Sequence, residues 1–91
     1  MTSLFTRIGN IEHMFNTSSL TSGTDLNTLT ASYAYRVGNM NGMTNKPTGA
    51  GTTGVLYIMN HTPYILQAFW GNEALKYRFS FDNATSWTSW V

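Results

Sequence analysis

The stretch TGVLYIMNHTPYILQAFW, residues 53–70, decides the fold. Val55 to Met59 is a short apolar run of good strand formers, and such a run bounded by turn residues reads as a central strand. NHTP, residues 60–63, is a turn. PYILQAFW then alternates, with Tyr64, Leu66, Ala68 and Trp70 opposing Ile65, Gln67 and Phe69, which is the period of a strand. The connection between the two runs is too short for a crossover, so they form an antiparallel hairpin.

Towards the C-terminus, GNEA makes the next turn and LKYRFSF, residues 75–81, alternates strictly. Its pattern predicts Leu75, Tyr77, Phe79 and Phe81 pointing inward and Lys76, Arg78 and Ser80 outward. DNATS turns again, and WTSWV ends the chain as a short strand. Towards the N-terminus, SYAYRVG places Tyr33, Tyr35 and Val37 on one face and Ala34 and Arg36 on the other. DLNTL, residues 25–29, reads as a short helical or 3₁₀ turn with Asp25 accepting bonds from the free N–H groups that follow. Between these, Asn39 to Gly54 is rich in Asn, Thr and Gly, contains Pro47 and has no periodicity. It is predicted to be an exposed, adaptable loop of roughly 15 residues, longer than most. The fold class is therefore all-β, a small antiparallel meander of four or five strands.

The first 24 residues read differently. LFTRIGNIEHMF, residues 4–15, spaces Leu4, Ile8, Ile11 and Phe15 at a helix-like period, although Gly9 and Asn10 interrupt it. NTSSLTSGT then reads as a linker. The expected organisation is an N-terminal arm or connector over 1–24 and a β domain over 25–91.

Composition narrows the function. A 91-residue chain makes one small domain of modest stability, and such domains often gain support from disulfides, metals or self-association. With no cysteine and two histidines, self-association is the expected support. Five basic and four acidic residues leave a net charge of +1, too little field to gather nucleic acid. No apolar run approaches the ~20 residues of a membrane-spanning helix, so no membrane insertion is expected. The N-terminus, with Arg7 and Glu12, reads as neither a secretory signal nor a transit peptide.

Catalytic patterns are missing. There is no G-x-S-x-G elbow beside a histidine and a carboxylate, and GAGTTG at 49–54 lacks the lysine of a phosphate-binding loop. The four acids are Glu12, Asp25, Glu73 and Asp82; Asp25 reads as a cap, Asp82 as a turn residue and Glu73 as part of an exposed hairpin loop, which leaves no pair for glycoside hydrolysis. SFDNATSW, residues 80–87, approximates the S-x-D-x-G-x-T-W Asp-box, with Ala84 in place of Gly and Ser86 in place of Thr. That motif is a hairpin turn and is structural where it occurs. No catalytic residue, cofactor or metal is expected.

Taken in order, DLNTLT at 25–30, YRVG at 35–38, NKPTGAGTTGVLYI at 45–58, QAFW at 67–70, KYRFSFDNATSW at 76–87 and Trp90 resemble the pyocin-knob modules of phage tail fibres and R-type bacteriocin fibres. The resemblance covers residues 25–90. It implies a non-enzymatic β-rich fibre tip in a homo-trimer, carried on the virion after assembly in the host bacterial cytoplasm. It further implies partners in other tail-fibre segments and in bacterial surface polysaccharide or lipopolysaccharide. A trimerisation or chaperone-like assembly domain of a longer fibre or depolymerase tailspike is the alternative.

The family fixes no binding residues, so the candidates come from chemistry. Sugars are held by aromatic faces stacked on their C–H surfaces and by amides and hydroxyls bonded to their OH groups. Trp70 and Trp90, beside a turn and the chain end, and Tyr64 are the candidate faces. Asn41, Asn45, Asn60 and His61 lie in predicted loops and turns. Arg78 is the candidate contact to an acidic sugar, or else pairs with Glu73 or Asp82. The competing reading is that most of these aromatics fill the core, where each buried ring contributes about 2–3 kcal/mol.

Overall fold

The computed structural model describes residues 19–91. The expected helix-like stripe of Leu4, Ile8, Ile11 and Phe15 lies outside the described residues. The rest is a four-stranded antiparallel sheet in simple meander order, β1 (Tyr33–Val37), β2 (Gly54–His61), β3 (Tyr64–Gly71) and β4 (Leu75–Ser80). Two 3₁₀ turns, Leu26–Thr28 and Met40–Gly42, are the other regular elements. The hairpin read from residues 53–70 is the β2–β3 pair, closed by Thr62 and Pro63 between His61 and Tyr64. WTSWV is not a regular strand, but its backbone pairs with the outer edge of β4. Tyr77 and Val91 exchange two N–H···O bonds of 3.0 Å, and Thr88 N–H donates to the Phe79 carbonyl at 2.8 Å.

The inward and outward sets of β4 are the reverse of those expected. Arg78 and Ser80 are buried, at 4% and 1% exposure, while Leu75, Tyr77 and Phe81 are exposed. The cause is register. Directly opposed residues of an antiparallel pair share a face. Ser80, Arg78 and Lys76 oppose Ile65, Gln67 and Phe69, whose side chains form the buried face of β3. Alternation alone gives two faces; the partner strand decides which one is inside.

One face of the sheet is covered by the chain's irregular segments. Leu26, Met40, Met43 and Ala50 from the turns and the long loop close over Val37, Leu56, Ile58, Ile65 and Phe69. The loop over 39–53 is thus a packed lid of the core, with Met40, Met43, Pro47 and Ala50 buried, while Asn39, Asn41, Asn45 and Thr48 keep the exposure expected of it. It is pinned to the β3–β4 turn, where the Asn72 side-chain oxygen accepts from Thr52 N–H at 3.1 Å and Thr53 N–H at 3.2 Å. Gly71 is required there, because a Cβ would collide with the Ala50 carbonyl oxygen. The expected boundary at residue 24 is not a break in contact. Leu20 packs against the core and donates its N–H to the Arg36 carbonyl at 2.7 Å, and Thr24 accepts from Thr44 N–H at 2.9 Å.

The opposite face is apolar and most open over β3 and β4, whereas Ala34 on β1 is buried. Cross-strand pairing arranges it in rows: Arg36, Val55, Trp70 and Leu75; then Ala34, Tyr57, Ala68 and Tyr77; then Met59, Leu66 and Phe79; then His61 and Tyr64, with Phe81 beyond β4. Among these, Trp70, Met59 and Phe81 are 62–63% exposed.

Candidate functional site

A cleft of about 640 Å³ lies at the β2–β3 hairpin end of the sheet, where the two faces meet. Its walls combine Ile58, Met59, Ile65 and Leu66 with the rings of Tyr64, Phe79 and Phe81, and with Ser32, Asn60, His61 and Ser80. The rings form a small array. Tyr64 meets Phe81 edge-on with centroids 6.1 Å apart, and Phe81 stacks on Phe79 at 5.9 Å and 27°. These rings are available because β4 turns its aromatic side outward.

The polar wall is rigid. Asn60 N–H donates to Ser32 Oγ at 2.8 Å, its side-chain amide donates to the Thr30 carbonyl at 2.5 Å, and its Oδ1 accepts from Thr62 Oγ1 at 2.9 Å. Asn60 therefore shapes the cleft and has little capacity left for a ligand. Ser80 Oγ is engaged likewise, donating to Asp82 Oδ1 and accepting from Ala84 N–H. The His61 imidazole and the Tyr64 hydroxyl make no hydrogen bond among the described residues, so both are able to bond a solute.

A second cluster sits beneath the covered face. Arg78 donates from Nε to Gln67 Oε1 at 2.8 Å, and its guanidinium lies 4.2 Å from the Trp87 ring centroid and 4.8 Å from that of Trp90. Trp90 Nε1 donates to the Asn45 carbonyl at 3.0 Å, and Asn45 Nδ2 donates to Asp25 Oδ1 at 2.7 Å. Burial pulls the Arg78 pKa down to about 10, against the opposing pull of the Asp25 charge. Arg78 pairs with neither Glu73 nor Asp82; it is held by Gln67 and two indoles. This cluster ties the chain end to the core.

Of the eight candidates, the structure thus brings Tyr64, Asn60 and His61 together at the cleft, and buried Arg78, half-buried Trp90 and exposed Asn45 together where the chain end meets the covered side. Trp70 stands at the far end of the open face, and exposed Asn41 lies in the second 3₁₀ turn with its N–H bonded to Asn39 Oδ1 at 3.0 Å. Phe79 and Phe81 are cleft residues that sequence reasoning assigned to the core, and Ser32 gave no signal at all. Among the described residues there is no group of three or more His, Cys, Asp or Glu side chains placed to hold a metal ion. No family model matches this chain, nor does any curated protein or solved structure.

Proposed function

We propose that this chain is a non-catalytic tip module of a phage tail fibre or a bacteriocin fibre, trimeric in its assembly, that binds bacterial surface polysaccharide during host recognition. The observation that carries the binding reading is the hairpin-end cleft. Exposed Tyr64 and Phe81 offer ring faces to sugar C–H surfaces, beside an imidazole and a phenol with free hydrogen-bonding capacity. The cleft is built on three paired strands, β2, β3 and β4, so its rings are held without a large ordering cost on binding. The ordered set of knob-like motifs over residues 25–90 supports the fibre context. The open apolar face favours the second reading, an assembly domain that registers copies of a longer fibre or tailspike.

The test is capture of purified lipopolysaccharide and capsular polysaccharide by the immobilised chain, across a panel of bacterial envelopes. Binding is expected for a subset. Tyr64→Ala and Phe81→Ala should each weaken it about tenfold, the loss of roughly 1.4 kcal/mol, with little change in thermal midpoint because both side chains are exposed. No binding to any envelope glycan overturns the recognition reading and leaves the assembly reading.

A further inference from the structure

The walls of the hairpin-end cleft limit the polar chemistry of what it can hold. Its volume of about 640 Å³ lies within the range of roughly 300–1,000 Å³ typical of small-ligand sites, room for a short oligosaccharide. Among the described residues no lysine, arginine, aspartate or glutamate lines it. A uronic acid or a phosphorylated sugar therefore meets no fixed charge there to offset its desolvation. Most hydrogen-bonding groups of the wall are committed as well. Ser32 Oγ accepts from Asn60 N–H at 2.8 Å and donates to the Asn60 carbonyl at 3.5 Å, and the Asn60 and Ser80 side chains are engaged by Thr30, Thr62, Asp82 and Ala84.

The His61 imidazole and the Tyr64 hydroxyl keep their capacity. They belong to directly opposed residues of the hairpin, so they stand on one face of the sheet, next to the Met59 and Leu66 pair. Phe81 lies 6.1 Å from the Tyr64 ring, and Phe79 stacks on Phe81. A ligand suited to this wall buries an apolar group beside a donor and an acceptor. A hexose with a hydroxyl on every free carbon does not fit that description, because hydroxyls pressed against Met, Leu and Phe side chains lose their water without replacement. A 6-deoxy sugar supplies a methyl but no polar group beside it. An acetamido group supplies all three on one rigid plane: a methyl, an N–H donor and a carbonyl acceptor.

We infer that the cleft selects sugars bearing an acetamido group, with the methyl against Met59, Leu66 and Phe79 and the amide bonded by His61 and Tyr64. This rests on the recognition reading of the cleft and names its ligand class. Chito-oligosaccharides and cello-oligosaccharides of equal length test it, because they share a backbone and differ at C2 in acetamido against hydroxyl. Titration of the full chain, followed by NMR, should show the chito form binding about tenfold more tightly, the lower end of what one methyl is worth in an apolar pocket. Saturation transfer should be strongest at the acetyl methyl. Tyr64→Phe keeps the ring and removes the hydroxyl, and His61→Ala removes the imidazole. Each should erase most of the preference with little effect on the cello form. Equal binding of the two forms, binding of neither, strongest transfer at the ring protons, or a preference that survives in both variants overturns the inference. The envelope panel separates it from the reading it rests on: capture confined to glycans without acetamido sugars overturns the ligand class and keeps recognition, whereas capture of no glycan overturns both.

Discussion

Replacing Arg78 with methionine and with alanine separates what its charge does from what its stem does. The guanidinium makes one charge-assisted hydrogen bond, to Gln67, worth about 1.5–3 kcal/mol. It also makes two indole contacts, worth about 0.5–2 kcal/mol each. Against these stands the cost of holding a cation away from water with no paired carboxylate, several kcal/mol, and Nη2 has no hydrogen-bond partner among the described residues. These electrostatic gains and costs nearly cancel, so most of the net contribution should be the packing of the aliphatic stem between two rings. Arg78→Ala removes that stem and leaves a void, at a cost of about 3–5 kcal/mol. Arg78→Met keeps most of the volume, gains sulfur–aromatic contact of about 0.3–1.5 kcal/mol and leaves Gln67 Oε1 unbonded. Its expected cost is about 1–2 kcal/mol. Urea unfolding at neutral pH, followed by tryptophan fluorescence and circular dichroism, resolves the difference in a domain whose whole stability is about 5–10 kcal/mol. A methionine variant as damaged as the alanine variant refutes the reasoning and makes the cation itself the fastener. So does an alanine variant that loses less than about 0.5 kcal/mol.

Two other perturbations probe the Asp82 turn. Ala84 sits at φ +68°, a conformation that costs an L-residue roughly 1–2 kcal/mol, so Ala84→Gly should stabilise by about 0.5–1 kcal/mol net of glycine's entropy and raise the thermal midpoint by several degrees; a lowered midpoint in calorimetry refutes this. The Asp82 carboxyl is held below its ordinary range by the Ser86 hydroxyl and N–H and by the Ser80 hydroxyl. A depressed carboxylate binds fewer protons folded than unfolded, so its contribution is complete above the unfolded value near 3.9 and disappears as pH falls through the lower folded value. Urea midpoints should hold steady from pH 7 to 5 and fall below about pH 4, and Asp82→Asn should lower the neutral midpoint and flatten that fall; an unchanged acid slope removes Asp82 from the account.

The parts of this fold that were legible in the sequence are those settled by neighbours in the chain. The β2–β3 hairpin follows from two strand-forming runs four residues apart, and the cap at Asp25 and the turn at Asp82 follow from side chains that bond backbone two to four residues on. The orientation of β4 is a different kind of fact. Its Tyr77 and Phe79 alternate with Lys76 and Arg78, and hydrophobicity argues for the aromatics inside. The structure puts Arg78 there because Gln67 faces it across the pair, its amide donating to the backbone carbonyls of Leu26 in the first 3₁₀ turn and of Leu29 just after it. Those partners are 11 and about 40 residues away, beyond the reach of any local pattern. One signal was present and unread: Gly54 opposes Gly71, and a pair of glycines in register marks the face over which another segment crosses.

The candidate site was only partly legible for a related reason. A sheet closed by irregular segments instead of helices must satisfy their backbone groups one at a time. The chain does so with amides and small hydroxyls, which is why it is rich in Asn, Thr and Ser and poor in charge. Asn39 and Asn72 accept from loop N–H groups, Asn45 holds Asp25, and Asn60 holds Thr30. Composition cannot distinguish an asparagine that bonds a sugar from one that bonds its own loop, and at these four positions the loop has taken the amide. Polar groups remain uncommitted where the backbone is already satisfied by ladder pairing, at the β2–β3 end, and that is where His61 and the Tyr64 hydroxyl stand beside the exposed rings. The exposed rings at the hairpin end and the exposed apolar rows at the far end of the open face both depend on a single choice, the register that turned Arg78 inward and the aromatics of β4 out.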